Sequence, residues 1–408
     1  MSHATFSDAL PPAEHSDHQA RHISYRQWSG ATLGFGELHG VRHTADSIVF
    51  ERPVGTMTYT EPFAAHAASQ EFEYARWTSP EVRSSFSFTN LVASWEVSTP
   101  EGSWVEVAVK VYGTAGGSQW LLLARWAGDD STVRPASVPG QADATGRIAT
   151  DSWLAADGNL GMSWQLRITL FRPVDSRLCP SLHCLGAMVS ALPETPMVRT
   201  RPGIASGTVL EVPAYSQRLH AGQYPHWDGG GDSWCSPTAT SMVMRYWSPE
   251  PDPAEFTWVN ATYSDRHIHH AVRHCFDYSY DSAGNWSFNT AYAANYGLNA
   301  FVTRLRDLSE AEEFIAAGIP LVASIRVFPD ELDGAGYSAS GHLLVIAGFT
   351  LEGDVVCHDP AAPDNASVRR IYRRHQLEHA WLAASGGIVY VIHPPMVRLP
   401  PTPPEANW

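Results

Sequence analysis

The sequence has the composition of an acidic globular protein. It contains 408 residues, of which 44% are hydrophobic and 11% aromatic, and its formal net charge is −15. This length and apolar content predict two or three packed domains and exclude a disordered chain. The basic residues form no run, and Lys110 is the only lysine. We therefore expect no nucleic-acid partner and no binding to anionic membranes.

The beginning of the sequence carries no recognisable targeting signal. Neither the basic start nor the apolar run of a secretory signal occurs in MSHATFSDALPPAEHSDHQARH. No stretch of about 18 apolar residues exists, so no membrane span is predicted. We therefore expect a cytoplasmic protein, with an extracellular location as the alternative. The five cysteines fit either compartment, as thiols in the first case and with up to two disulfides in the second.

A strand pattern runs through the first half of the chain. After a flexible tail predicted over residues 1–22, apolar and polar residues alternate in SWVEVAVKVY and WQLRITLF. Such a period of two is typical of half-buried antiparallel strands. Other short apolar runs lie between Gly, Pro, Asp and Ser turns. Together they predict an all-β sandwich or jelly-roll-like domain over residues 23–192.

A second pattern begins after a boundary rich in proline and glycine, which predicts a linker over residues 193–207. Helical patterns follow Pro237 and run through NTAYAANYG and LSEAEEFIAAG. Strand patterns come later, in PLVASIRVF, HLLVIAGFT, DVVCHD and GGIVYVI. Helices followed by strands predict an α+β domain over residues 208–395. Residues 396–408 are predicted to form a proline-rich tail.

Cys235 occupies a position in which a thiol becomes reactive. It stands in GGGDSWCSPTATSMVMRYW, where Ser236 is a suitable helix N-cap and Pro237 a suitable first helical residue. A helix N-terminus favours a thiolate, because its unpaired N–H groups and the helix dipole attract negative charge. The preceding glycines permit close approach of a substrate. The pattern indicates a nucleophile, and the alternative is an inert buried cysteine.

Two later strand ends supply the partners that a nucleophilic thiol needs. His342 begins the strand HLLVIAGFT, and Asp359 ends the strand in DVVCHDP, with the turn LEGD between them. Pairing of these strands brings the carboxylate within reach of the imidazole ring and fixes its tautomer. Gln217 in VPAYSQ is a candidate donor to an oxyanion, together with the N–H of Cys235.

The sequence resembles the peptidase C39-like group in four segments that follow one another in the same order as in that group. These segments are YSQ, WCSPTATSMVMRYW, SGHLLVIAGF and VVCHDPA. The members of this group are papain-like cysteine peptidases related to the bacterial double-glycine leader peptidases of bacteriocin export. The resemblance covers residues 208–395. It implies Cys235 as the nucleophile, His342 as the general base, Asp359 as the residue that orients it, and Gln217 as the oxyanion donor.

The sequence departs from the family pattern in two ways. Ser236 stands where the family usually has a glycine, between the cysteine and the proline. The chain also lacks the membrane helices and the Walker loop of the export peptidases, so a leader-processing role does not carry over. We assign substrate binding to Trp234, Ser236 and Trp286, although Trp286 in the loop GNWSFN is equally suited to anchor a core.

The predicted function is hydrolysis of peptide or amide bonds in a peptide or protein through a Cys-His-Asp triad. The alternatives are acyl transfer or cell-wall amide hydrolysis by the same triad, or a degenerate papain-like binding protein. No metal or cofactor is predicted: His270 and His274 stand four residues apart, but without an HExxH arrangement. By analogy, the β domain binds carbohydrate or protein, or packs as an inhibitory partner.

Overall fold

The computed structural model describes residues 20–64, 69–114, 116–194 and 198–408. The predicted tail lies outside the described residues as far as residue 19, as do residues 195–197 of the predicted linker. In the described residues up to 194, the regular structure consists of strands and a short 3-10 helix, Gly30–Phe35. The strands are β1 His22–Ser29, β2 Glu37–His39, β3 Val41–His43, β4 Ile48–Phe50, β5 Gly55–Thr60, β6 Ser69–Thr78, β7 Val82–Phe88, β8 Asn90–Ser98, β9 Trp104–Gly113, β10 Gly116–Gly117, β11 Leu121–Trp126, β12 Ala136–Ser137, β13 Gly146–Ala149, β14 Ser152–Ala155, β15 Gly161–Pro173 and β16 Ser181–Ala191.

These strands form two antiparallel sheets that pack face to face. One sheet has the order β13-β14-β8-β16-β4-β3, with β1 paired to β16. The other has the order β12-β11-β9-β15-β6-β2, with β10, β5 and β7 paired to its members. Trp28 of the first sheet meets Trp77 and Trp164 of the second edge to face, with ring centroids 5.8 and 5.7 Å apart. The alternating valines of β9 are all buried, and the predicted β-sandwich is confirmed.

The described residues from 198 onward combine helices with one antiparallel sheet of order β17-β22-β18-β19-β20-β21. This is the predicted α+β architecture. No helix among the described residues has the length and apolar character that a bilayer span requires. The elements are α1 Cys235–Tyr246, α2 Arg266–Cys275, α3 Trp286–Ala294, β17 Asn299–Arg304, α4 Leu308–Ala316, β18 Leu321–Val327, β19 Ala339–Phe349, β20 Val355–His358, β21 Arg369–Tyr372, α5 Arg374–Ser385 and β22 Ile388–His393.

Local capping explains where two of these helices begin. Asn285 precedes α3, and its side chain accepts a hydrogen bond from the N–H of Phe288 at 3.2 Å. Asp307 caps α4 in the same way, and Gly318 follows the end of α4 with a φ of 80°. Helix α5, which begins after Arg373 without a side-chain cap, is not predicted from the sequence.

The two domains share one apolar core. Phe288 of α3 packs against Trp95 of β8 and Trp126 of β11, with ring centroids 6.1 and 4.9 Å apart. The N–H of Val302 in β17 donates to Oγ of Ser94 in β8 at 2.8 Å. Because apolar packing and hydrogen bonds both cross the interface, we expect the domains to unfold together.

The segment predicted as a proline-rich tail, residues 396–408, packs against both domains. Trp408 is buried and meets Phe314 of α4 with ring centroids 5.0 Å apart. The N–H of Tyr25 in β1 donates to the carbonyl of Ala406 at 2.9 Å. This segment therefore reinforces the contact between the sandwich and the α+β domain.

The shared core predicts a cooperative response to a substitution at the interface. Phe288→Ala should lower the free energy of unfolding by about 3 kcal/mol, because it leaves a cavity between two tryptophans. The protein should still unfold in one transition, measured by urea denaturation with fluorescence and far-UV circular dichroism. Phe35→Ala is the control, since Phe35 is 71% exposed and its loss should cost less than about 0.5 kcal/mol. Two separate transitions, with only one shifted by Phe288→Ala, would contradict the shared core.

Candidate active site

Cys235 is the first residue of α1. The helix begins after Trp234 and has no side-chain cap, so the prediction that Ser236 is the N-cap is wrong. Ser236 lies within the first turn, where its Oγ is 2.9 Å from Oη of Tyr390. The first N–H groups of a helix have no partner within the helix, and they favour negative charge. The structure thus places the Cys235 thiol at a helix N-terminus, as the sequence predicts.

His342 and Asp359 meet because β19 and β20 pair as neighbours. Val345 of β19 lies opposite His358 of β20 in an antiparallel register. His342 stands near the start of β19, and Asp359 directly follows β20. The Nε2 atom of His342 is 2.8 Å from Oδ1 of Asp359. Both side chains are buried, and Nδ1 of His342 remains free to interact with a thiol.

The carboxylate of Asp359 accepts further hydrogen bonds from three directions. The hydroxyls of Tyr337 and Tyr372 both donate to Oδ2, at 2.7 and 2.6 Å. The N–H of Ala361 donates to Oδ1 at 2.9 Å. Neither tyrosine is among the site residues predicted from the sequence. Tyr337 had a visible signal, its place in GAGYSASG just before His342, whereas Tyr372 had none.

Charge complementarity stabilises the ionised forms of both groups. Burial would lower the pKa of His342, but the charge and hydrogen bond of Asp359, together with a hydrogen bond to Cys235, raise it to about 10. Burial would raise the pKa of Asp359, but His342 and the hydroxyls of Tyr372 and Tyr337 hold it well below its usual range. Near neutral pH the site therefore holds an imidazolium next to the cysteine.

Gln217 lines the same cleft as Cys235, and its side-chain amide is hydrogen-bonded to the main chain. It begins a 3-10 helix, Gln217–His220, and is 2% exposed. Its Nε2 donates to the main-chain carbonyl of Asp232 at 2.6 Å. An amide NH2 group has two hydrogens. The carbonyl of Asp232 accepts one of them, and the described residues offer no acceptor for the other.

One cleft of about 530 Å³ joins these groups. Cys235, His342 and Gln217 all line it, while Asp359 lies buried behind His342. Trp286, at the start of α3, also lines this cleft, as its predicted role in substrate binding requires. The cleft is bounded in addition by residues 149–151 of the sandwich, which the sequence analysis did not connect with the site. The other lining groups include Arg218, Asp228, Asp232, Tyr280, Ser282, Tyr337 and Ser340.

Two of the predicted substrate contacts lie away from this cleft. Trp234 is fully buried, and its Nε1 donates to the carbonyl of Trp227 at 2.8 Å. Ser236 is also fully buried, on the side of α1 that faces Tyr390 of β22. The prediction that Trp234 and Ser236 contact substrate is therefore wrong, because the residues on both sides of Cys235 turn into the core.

Buried histidines surround Trp234. The ring of His220 stacks on Trp234 with centroids 5.9 Å apart, and His269 meets both rings edge to face. Nε2 of His269 is 2.6 Å from Oε1 of Gln223. Burial lowers the pKa of His220 to about 4. Burial, reinforced by the charge of His220, lowers that of His269 to about 3. Both rings are therefore neutral in the folded protein near pH 7.

The histidine pair of α2 makes protein contacts. The rings of His270 and His274 stack with centroids 4.0 Å apart. Nδ1 of His270 is 3.0 Å from Oη of Tyr292, and Nδ1 of His274 is 2.6 Å from the carbonyl of Gly128. In the described part of the chain, no three His, Cys, Asp or Glu side chains are grouped as a metal site would require.

Comparison with protein families assigns both halves of the chain. The model of the Peptidase C39 N-terminal domain matches residues 24–190, and that of the Peptidase_C39 like family matches residues 209–389. Together these two matches support a peptidase C39-like family assignment for the chain. A C39-like assignment supports a papain-like cysteine peptidase type of fold for the α+β domain. No curated protein matches the chain.

The chain also resembles parts of several solved structures. The catalytic domain of Agl-KA is 14% identical over 51% of this chain and 34% of its own, with a TM-score of 0.16. Arthrobacter globiformis T6 isomalto-dextranase, complexed with panose, is 12% identical over 42% and 33%, with a TM-score of 0.14. The family 22 carbohydrate-binding module of Clostridium thermocellum Xyn10B is 10% identical over 44% and 90%, with a TM-score of 0.14. The chain spans about a third of the length of the Agl-KA domain and of the isomalto-dextranase. Because the TM-scores are this low, we draw no conclusion about fold or function from these similarities.

The neutral histidines predict a loss of stability in acid. In the unfolded chain histidine takes up its proton near pH 6.5, whereas buried His220 resists protonation down to about pH 4. The unfolded state then binds more protons, so the free energy of unfolding falls as the pH drops from about 6.5 to 4. Urea denaturation at pH 7.0 and 4.5 should show a fall about 2 kcal/mol smaller in His220→Phe than in the wild type. An equal fall in both proteins would contradict this assignment.

The imidazolium beside Cys235 predicts a reactive thiol. Iodoacetamide at pH 6.5 should alkylate Cys235 about tenfold faster in the wild type than in His342→Ala, because a neighbouring cation generally makes a cysteine more reactive. Peptide mass spectrometry measures the rate at each cysteine. Cys179 serves as the internal reference, since it is partly exposed and contacts Arg172 rather than a histidine. An unchanged rate at Cys235 in His342→Ala would show that the two side chains do not interact.

Proposed function

We propose that the protein is a cysteine hydrolase that cleaves peptide or amide bonds, with Cys235 as its nucleophile. One observation carries the proposal: Cys235 and His342 come from different elements and line the same cleft, while Asp359 binds the far nitrogen of His342. This is the arrangement of nucleophile, base and orienting acid that covalent catalysis uses. The C39-like family assignment supports the same reading.

The groups in the site can carry out both steps of the proposed reaction, acylation of the cysteine and hydrolysis of the thioester. The thiolate of Cys235 attacks the carbonyl carbon and forms a C–S bond, and Nδ1 of His342 then gives its proton to the leaving amine as the C–N bond breaks. Water next attacks the thioester and gives a proton to His342. The C–S bond then breaks and its electron pair returns to the sulfur, so that the acid product leaves and the thiolate of Cys235 is regenerated beside protonated His342. Asp359 stays ionised throughout and keeps Nδ1 turned toward the sulfur.

Two donors are available for the oxyanion that each attack creates. The N–H of Cys235 is the first, since it stands at the start of α1 and has no partner within the helix. The second hydrogen on Nε2 of Gln217 is the other, because the carbonyl of Asp232 holds only one. Donors fixed before the reaction stabilise the developing charge without reorganisation.

The β-sandwich enters this proposal as part of one working unit. Its apolar core is continuous with that of the α+β domain, and residues 149–151 border the cleft. A separate carbohydrate or protein ligand of the sandwich stays a prediction. The substrate proposed for the cleft is a peptide or protein, and no cofactor takes part in the proposed steps.

Digestion of a mixed peptide library tests the proposal. The wild type should cleave a subset of peptides, whereas Cys235→Ala and His342→Ala should lose at least about 10³-fold in rate, because each removes a reacting group. Cys179→Ala is the matched control and should retain full activity. Mass spectrometry of the products gives the cleaved bonds.

The possible outcomes separate the alternatives. Absence of cleavage, with rapid alkylation of Cys235 that depends on His342, would favour acyl transfer or cell-wall amide hydrolysis by the same groups. Absence of both cleavage and rapid alkylation would favour a degenerate domain that binds without catalysis. Cleavage that persists in Cys235→Ala would contradict the assigned nucleophile.

A further inference from the structure

The turn between β13 and β14 of the sandwich reaches the catalytic cleft. Ala149, Thr150 and Asp151 line the same cleft as Cys235 and His342. Thr150 has a φ of 46°, in the left-handed region that a β-branched residue rarely adopts. A strained residue at the edge of a cleft is held there by its surroundings.

Asp151 attaches this turn to the start of α3. Its Oδ2 accepts a hydrogen bond from the N–H of Trp286 at 3.2 Å, and its Oδ1 accepts one from Oγ of Ser152 at 3.0 Å. Trp286 is the first residue of α3, so the carboxylate also complements the positive end of the helix dipole. Since Trp286 lines the cleft as well, one contact between the domains positions two cleft residues.

A second contact from the sandwich reaches the same helix end. The N–H of Ser137 in β12 donates to Oδ1 of Asp277 at 2.9 Å. Oδ2 of Asp277 accepts a hydrogen bond from Nδ2 of Asn285 at 2.8 Å. Asn285 is the N-cap of α3. Residues of the sandwich therefore fix both the cap and the first residue of the helix that bears Trp286.

We infer that the N-terminal sandwich forms one wall of the substrate-binding cleft and that Thr150 is a specificity-determining residue of the site. This inference rests on the proposed function and extends it, because it assigns the sandwich a role in selecting peptide substrates. Thr150 contacts the substrate in this assignment, whereas Asp151 is a positioning residue that acts through Trp286.

Labelling of Cys235 tests the wall without requiring turnover. A panel of peptidyl chloromethyl ketones is compared with iodoacetamide, which is too small to contact the turn. In the wild type, some peptidyl reagents should label Cys235 at least tenfold faster than iodoacetamide. Thr150→Gly, which removes the side chain and suits the positive φ, should reduce this preference three- to tenfold. Thr150→Trp should change which peptides are preferred.

Controls separate a cleft effect from a folding effect. Asp175→Gly makes the same backbone change at an exposed turn with a φ of 68°, away from the cleft residues. It should leave every labelling rate unchanged. All variants should react with iodoacetamide at the wild-type rate, which shows that Cys235 and His342 are intact. Asp151→Ala should weaken the preference for peptidyl reagents. Asp151→Asn, which keeps an acceptor for the N–H of Trp286, should retain the wild-type preference.

Two results would overturn the inference, and they have different meanings. A wild type that shows no preference for any peptidyl reagent would overturn both the proposed peptide substrate and the role of the wall. A wild-type preference that Thr150→Gly and Thr150→Trp retain unchanged would overturn the wall alone and leave the proposed hydrolase in place.

Discussion

Burying the charge of Asp359 is costly unless donors surround it, and much of the active-site geometry satisfies that requirement. His342, Tyr337, Tyr372 and the N–H of Ala361 all donate to this carboxylate. These donors come from β19, the loop before it, β21 and the chain after β20. The pairing of these strands thus determines the position of the imidazole. The position of the His342 ring is thus set independently of helix α1, which carries Cys235.

The sequence predicts features that depend on neighbouring residues. The alternation in β9 and β15 predicts the sandwich, since a buried sheet face requires a period of two. The short separation of His342 and Asp359 makes their strands a hairpin and brings the two side chains together. The helix start at Cys235 can be predicted because proline, here Pro237, is common in the first turn of a helix. These inferences require no knowledge of how the domains pack.

Features that depend on packing between distant segments cannot be predicted from local sequence patterns. Asp151 and Trp286 lie 135 positions apart, and no local pattern relates them. Trp234 and Ser236 flank the nucleophile but face inward, because the rotation of α1 about its axis is set by the core beneath it. Tyr372 becomes part of the site only through the pairing of β20 and β21. Each of these contacts is set by tertiary structure rather than by local sequence propensity.

The attachment of α3 to the sandwich has a consequence for biosynthesis. The sandwich precedes the α+β domain in the chain, and domains emerge from the ribosome in that order. Ser137 and Asp151 are thus in place before Asn285 and Trp286 are translated. The cleft that Cys235 and His342 line is completed only when the later domain docks onto the earlier one, because residues 149–151 also line it. A half-made chain therefore contains no finished cleft, and the proposed hydrolase would be complete only after the second domain has folded against the first.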